Sequence, residues 1–408
     1  MNDKTSRQVT AAKEAAVEVL LNNSRGPHRG LPRAAAWGYP EPYTRDIMIS
    51  SLGMLLSGEA RLVEAVRRTL EALARNQSPH GHIPSLAHNR EDRGASDTTP
   101  LFLFGLGLYR RHTGEPAFLR EAGDKALTWM AYQSPEDRLI VAQQPTSDWR
   151  DEQWVPGFCL YVNALVHAYL HLHGRVEDAA LVKRMMNCFT VLSRTHQRHV
   201  HGNLVIRRKP YYALWAYKHF GSERFDLLGN SLAILSGIAS RSRARRIIAW
   251  VERECAAMRE NGELVGELPP NLFPYIRPTD PDWKARYDRF NHVGDYHNGG
   301  VWPFICGFYV AAMVAAGYQR VARRKLLALT ELVSRGGGPE MSFAFNEWIK
   351  AQTAEPSGQN WQTWSAAMYL YAARCVEKRS TPFFDEIRAR SWRRASREDS
   401  SDEAKTTG

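Results

Sequence analysis

Eight carboxylates in this chain lie among aromatic and amide residues: Asp46, Asp97, Asp148, Asp151, Glu152, Asp226, Asp295 and Glu347. Such surroundings strip water from a carboxyl group and raise its pKa. Cleavage of a glycosidic bond needs two carboxyl groups, one kept protonated near neutral pH and one ionised. Asp151 ends the run Ser147-Asp-Trp-Arg-Asp151 at a helix entry, where Trp149 would desolvate it. A cap or a partner for Arg150 is its equal alternative. Asp148 in the same run is the rival proton donor. Glu347 lies in Phe343-Ala-Phe-Asn-Glu-Trp348, after the Gly336-Gly-Gly338 break. A glutamate between aromatics outside a regular helix reads as functional rather than as a salt-bridged loop residue.

Other residues fit a sugar site. Arg45-Asp46 at a helix start reads as a hydroxyl clamp or a structural ion pair. His297-Asn298-Gly-Gly300 is a tight turn before Trp302-Pro303, where glycine permits close backbone approach. His297 would bond a sugar hydroxyl or be a satisfied structural histidine. The binding set is Tyr43, Arg45, Asp46, Asp97, Asp148, Trp149, His297, Asn298, Trp302, Gln362 and Trp364. His167 and His171 have metal-compatible spacing without the accompanying glutamate of zinc hydrolases, so a surface or core pair is the better reading. Phosphate-loop, Gly-x-Ser-x-Gly and Cys-x-x-Cys patterns are missing where they would matter. Neither a metal nor an organic cofactor is expected.

These residues recur in one kind of place. Six segments crowded with aromatic, amide and carboxylate groups open six apolar helices: Glu41–Asp46, Ala95–Pro100, Pro145–Trp154, Arg224–Asn230, Gly294–Pro303 and Ser357–Trp364. The helices pair as Arg45–Ser57 with Ala60–Arg75, Thr98–Thr113 with Ala117–Tyr132, Phe158–His173 with Val176–Thr195, Phe225–Ser240 with Arg243–Met258, and Val301–Ala316 with Gln319–Ser334. Trp361–Val376 pairs with the N-terminal Ser6–Asn22. The first member of each pair is the more apolar and so the more buried. The expected fold is all-α, an (α/α)6 toroid with its polar loops gathered at one end. There the helix N-termini offer N–H donors and positive dipole ends. Val200–Arg208 reads as a short hairpin arm. Residues 1–380 are expected to form one domain and 381–408 a charged, flexible tail.

A chain of 408 residues can bury a large core. Its apolar runs stay short of the roughly 18 residues a membrane span needs, and its polar N-terminus points to the cytoplasm. Cys159, Cys188, Cys255, Cys306 and Cys375 read as buried reduced thiols. The net charge of +11 concentrates in Arg241–Arg246, Arg320–Lys325 and Arg388–Arg397. The first two read as solvated outer helix faces, and the charge implies weak polyanion affinity without a nucleic-acid module. The expected partner is a small carbohydrate, with no membrane and with homo-oligomerisation left open.

Several of these segments resemble a known family. Tyr43-Thr-Arg-Asp46 running on to Leu56-Ser-Gly-Glu59, Phe225-Asp-Leu-Leu-Gly-Asn230, Tyr296-His-Asn-Gly-Gly-Val-Trp-Pro303, Asn346-Glu-Trp348 and Gln362-Thr-Trp364 are similar to the alkaline/neutral invertases, glycoside hydrolase family one hundred. They occur in the family's order and cover most of residues 40–375. The resemblance implies an inverting hydrolase with an aspartic acid donor, for which Asp151 is the nearest match, and a glutamate base at Glu347. It implies a small α-glucoside substrate, sucrose first, with debranching-type or compatible-solute glucosides as alternatives. A silent sugar-binding toroid or a sugar epimerase is the rival outside hydrolysis. The chain departs from the family in its acid loop and in Asn-Glu-Trp-Ile, where the family carries Pro-Glu-Tyr-Tyr.

Overall fold

The computed structural model describes residues 3–134, 139–187, 204–206, 208–217, 220–337 and 341–392. Six helices carry the core: α2 (Thr44–Leu56), α4 (Thr98–Thr113), α6 (Leu160–Leu172), α8 (Leu227–Leu235), α11 (Pro303–Ala315) and α13 (Thr363–Lys378). They are buried over almost their whole length, as helices apolar on every side must be. α2 packs on α4, α4 on α6, α6 on α8, α8 on α11, α11 on α13, and α13 returns to α2. Outside them lie α1 (Asp3–Asn23), α3 (Ala60–Asn76), α5 (Arg120–Ala131), α7 (Val176–Asn187), α9 (Arg241–Glu260) and α12 (Gln319–Ser334), each apolar on one stripe only. The expected inner and outer sets are therefore found.

The ring closes through small residues. A β-carbon on Gly53 of α2 would lie 2.0 Å from the Ala367 carbonyl oxygen of α13, and one on Gly307 of α11 would lie 2.7 Å from that of Met368. α13 answers with Ala366, Ala367, Ala372 and Ala373, all fully buried. Three helices thus approach nearly backbone to backbone.

The structure bears on the sequence expectation in four places, departing from it in three and leaving the second mostly outside the described residues. First, the chain contains sheet. β1 (Phe158–Cys159), β2 (Ala213–Tyr217), β3 (Phe220–Asp226) and β4 (Leu272–Phe273) form an antiparallel sheet in that order. Phe225 stands opposite both Ala213 and Phe273, so Phe225 and Asp226 end a strand and α8 starts at Leu227. Second, the expected arm at 200–208 lies mostly outside the described residues, as do Cys188 and the expected end of the third outer helix; a bridge joins Val205 to Tyr212. Third, residues 384–392 are helical and packed, although the tail was expected to begin at 381. Phe384 and Ile387 are buried. Arg388 donates to the Leu235 carbonyl, Ser391 to that of Gly237 and Trp392 to that of Ala239. Fourth, Lys325 belongs to the interior rather than to a solvated face. It is fully buried, donates to the Glu267 carbonyl and pairs with Glu252. Cys159, Cys255, Cys306 and Cys375 are buried free thiols. No helix among the described residues is long and apolar enough to cross a membrane.

Candidate active site

A chain of polar contacts joins the entries of the six inner helices at one end of the ring. Arg45 of α2 grips Asp97 with two hydrogen bonds of 2.7 and 3.0 Å, and Tyr161 of α6 donates to the same carboxylate. Arg150 reaches Asp226 ahead of α8 at 3.2 Å. Leu227 N–H donates to the Asn271 carbonyl, and Asn271 Nδ2 donates to the His297 carbonyl ahead of α11. Trp302 lies edge-on to Trp364 of α13, and Thr363 N–H donates to the Ala34 carbonyl ahead of α2. The predicted convergence of loops is therefore real.

Three carboxylates in this cluster act on one another. Asp46 is 8% exposed and its pKa is pushed up to about 7, by burial first. Arg45 pulls it down, while Asp151 and Asp97 push it further up. Glu347 is 6% exposed and is likewise pushed up to about 7 by burial, with the Gln359 N–H lowering it and Asp46 and Asp151 raising it. The Asp151 side chain is 60% open to solvent. Burial nonetheless leads the causes of its raised pKa, ahead of the Arg45 pull and the Glu152 and Asp148 push. Like charges this near cannot all ionise cheaply.

Local structure holds Glu347 in place. It precedes the short ribbon of β5 (Trp348–Ile349) and β6 (Pro356–Ser357), and the Gln359 N–H donates to its Oε2 at 3.1 Å. Gly358 has φ +70°, and a β-carbon there would overlap the Glu347 carboxylate. Glycine is required at that position both for the backbone and for the space.

The other candidates divide. Asp148 is fully buried, bonded to Arg150 at 2.7 Å and to Gln143 at 3.0 Å. Burial would raise its pKa, but the Arg150 guanidinium prevails and holds it down at about 2. It is the buried ion-pair partner of Arg150, while Asp151 stands open to solvent. Asp97 and Asp226 are fully buried partners of Arg45 and Arg150. Asn298 spends its amide on the backbone of Ile276 and Asn291, so it builds the turn instead of facing a ligand. Glu152 pairs with Arg286, and Asp295 answers to Lys350 and His292 rather than to the carboxylate trio. His167 and His171 form a buried core pair, ring centroids 4.7 Å apart.

Trp149, His297, Trp302 and Trp364 form an aromatic lattice behind Asp151. Trp149 stands edge-on to His297 and Trp302, and His297, Tyr296 and Trp302 are in mutual ring contact, with His297 stacked on each of the other two. His297 is 1% exposed, and its Nε2 lies 3.9 Å from Asp151 Oδ1, beyond hydrogen-bond length. Burial, followed by Arg150, keeps its pKa well below the usual histidine range, so the ring is neutral. Trp149 Nε1, Trp364 Nε1, His297 Nδ1 and Gln362 Oε1 find no hydrogen-bond partner among the described residues. Tyr43 stands just ahead of α2, its pKa raised by burial and then by Glu41, Asp46 and Asp151.

Sequence reasoning missed Tyr39. Its pKa is pushed up to about 12, by burial first and then by Glu347, Asp151 and Asp46 in that order. One phenol thus feels all three carboxylates. The signal was Trp37-Gly-Tyr-Pro40, just upstream of the first polar segment, with Trp37 58% exposed against Trp361.

Known proteins are similar to part of this chain in sequence and to most of it in fold. Residues 180–379 match the family model for alkaline and neutral invertase. Cytosolic invertase 1 of Oryza sativa subsp. japonica is 29% identical over 157 residues, 38% of this chain and 26% of that protein. Probable alkaline/neutral invertase F of Arabidopsis thaliana is 31% identical over 150 residues, 36% and 28% of the two chains. The chain therefore spans about a quarter of the length of these relatives. The GH63 mannosylglycerate hydrolase of Thermus thermophilus, solved with Tris and D-glycerate, superposes with a TM-score of 0.61 at 16% identity, covering 88% of this chain and 99% of that one. A wild-type glycosidase superposes with a TM-score of 0.61 at 13% identity, covering 93% and 99%. The family match takes in His297, Trp302 and Glu347 but begins after Asp151. The chain is similar to the alkaline and neutral invertases across residues 180–379, and its fold is shared with solved glycosidases.

Proposed function

We propose that this protein is a glycoside hydrolase of (α/α)6 architecture that cleaves a small α-glucoside with inversion at the anomeric carbon. The observation that carries the reading is the coupled carboxylate trio Asp46, Asp151 and Glu347 at the mouth of the inner ring. Asp151, the most open of the three, is the group that reaches a leaving oxygen and protonates it. Glu347 has one oxygen tied to the Gln359 N–H; its other oxygen takes the proton of the attacking water. An inverting pair stands about 6.5–9.5 Å apart to admit that water. Asp46 and Arg45 flank the sugar hydroxyls, and the unpaired polar atoms of Trp149, His297, Gln362 and Trp364 supply further directional contacts. A buried polar atom left unpaired costs about 1–3 kcal/mol, so a hydroxylated ligand gains by meeting it.

Sucrose is the first candidate, by likeness to the invertases, and a cytoplasmic location accords with the cytosolic relative. The test is incubation with a panel containing sucrose, α-1,6-linked glucosides and glucosyl-polyol or glucosyl-acid solutes, read as released glucose. Release from at least one member is the expected result. Sugar binding without turnover of any member would leave a silent binding protein.

A further inference from the structure

The exposed Asp151 raises a question of precision. Its carboxylate has His297 Nε2 at 3.9 Å as its near polar neighbour, so its aim is set by the backbone that carries it. A proton donor displaced by about 1 Å loses roughly a hundredfold in rate. The segment following Asp151 is held from outside. Trp154 N–H donates to Tyr287 Oη at 2.9 Å, and Asn291 Nδ2 donates to the Glu152 carbonyl at 2.9 Å. Both come from the stretch around α10 (Tyr287–Phe290). Arg224 of β3 anchors that stretch through Asp280 and Asp282 and through the Pro274 and Tyr275 carbonyls.

Asn291 has a second attachment. Its Oδ1 accepts the His297 N–H at 3.0 Å, and its own carbonyl accepts from Asn298 Nδ2 at 3.0 Å. Asn271 pins the other side of the His297 peptide through its carbonyl. One buried amide therefore ties the Glu152 carbonyl, next to Asp151, to the turn that carries His297.

We propose that Asn291 is a positioning residue: it locks the Asp151 loop to the His297 turn so that the proton donor is aimed at the leaving oxygen. The inference rests on the hydrolase reading for its catalytic consequence and on geometry alone for its structural one. Asn291→Asp is the direct probe, because it keeps an acceptor for the His297 N–H and removes the donor to Glu152.

Three readouts separate positioning from a loss of fold. On a sugar or alkyl glucoside, kcat should fall about tenfold or more with KM little changed, while on α-glucosyl fluoride, whose leaving group departs without a proton, the loss should stay within about threefold. The alkaline limb of kcat should move to lower pH, since a loosened, better-hydrated carboxyl group deprotonates earlier. Hydrogen exchange at the Gln153 and Trp154 amides should quicken. Equal losses on both substrates, or an unmoved limb with unchanged exchange, would overturn the proposal. If burying a carboxylate stops Asn291→Asp from folding, Asn291→Ala, which removes the bonds to the Glu152 carbonyl and the His297 N–H without burying a charge, carries the same test. If the wild type cleaves no glucoside, the hydrolase reading falls by itself, and exchange at 151–154 decides: faster exchange supports the lock and unchanged exchange ends it.

Discussion

At the residue scale, Asp46, Asp151 and Glu347 repel one another, and burial adds to the cost of ionising them. Glu347→Gln and Asp151→Asn should each lower turnover by at least about a hundredfold while leaving the fold intact, because they remove proton transfer rather than packing. Wild-type turnover in either variant would remove that residue from the mechanism. A base must be ionised and the acid protonated, so the acid limb of the pH profile should follow the Glu347 carboxyl, which burial pushes up to about 7, and the alkaline limb should follow Asp151. Stability runs the other way. A carboxyl group raised from 4.5 to about 7 favours folding below its unfolded pKa, and that contribution is lost as pH rises through 7. Glu347→Gln should therefore stabilise the protein by roughly 1–3 kcal/mol at pH 8, with the gain gone near pH 4. Denaturant midpoints at the two pH values measure this, and a gain equal at both would contradict it. Glu347 was legible because an acidic residue among aromatics had no structural reason to be there. Asp148 was not separable from Asp151 by sequence, because both flank the same Arg-Trp pair and only the fold shows which one Arg150 takes. Tyr39 escaped because the two carboxylates it feels most, Glu347 and Asp151, lie more than a hundred residues away in the sequence.

At the element scale, the inner helices were legible from apolar character on every side, and α4 was placed at its observed bounds, Thr98–Thr113. The sheet was not legible. β1 and β4 are two residues long and fully buried, so they show no alternation, and Phe158 and Phe225 read equally well as helix starts. Gly53 is an element-scale constraint hidden in a helical pattern. On an open helix face Gly→Ala gains about 1 kcal/mol. Here the added methyl meets the Ala367 carbonyl at 2.0 Å, and Gly53→Ala should instead cost about 1–3 kcal/mol by forcing α2 off α13. Thermal unfolding of the variant reads the sign, and a raised midpoint would mean the two helices are not locked there.

At the scale of the whole molecule, a ring of six buried helices has two ends. One end holds the carboxylate trio, and the 384–392 helix packs where α8 and its following turn finish. Composition hid that helix: the arginines between 388 and 397 read as part of a charged tail, while Phe384 and Ile387 sit in the core and Arg388 is spent on the Leu235 carbonyl, Thr381 and Asp385. Chains ending at residue 392 and at residue 381 differ by that helix. One ending at 381 loses the buried Phe384 contact with Phe104 and Tyr371 and should be less stable by at least about 3 kcal/mol; equal stability of the two would return the segment to the status of a tail. The closed ring carries the two proposed catalytic groups on different helix entries, Asp151 ahead of α6 and Glu347 in the loop before α13. That arrangement is the central claim, and the stereochemistry of the first product tests it most directly. Proton NMR of glucose at early times, before mutarotation, should show the β-anomer released from an α-glucoside. The α-anomer at first appearance would contradict a water activated by Glu347 on the face opposite Asp151.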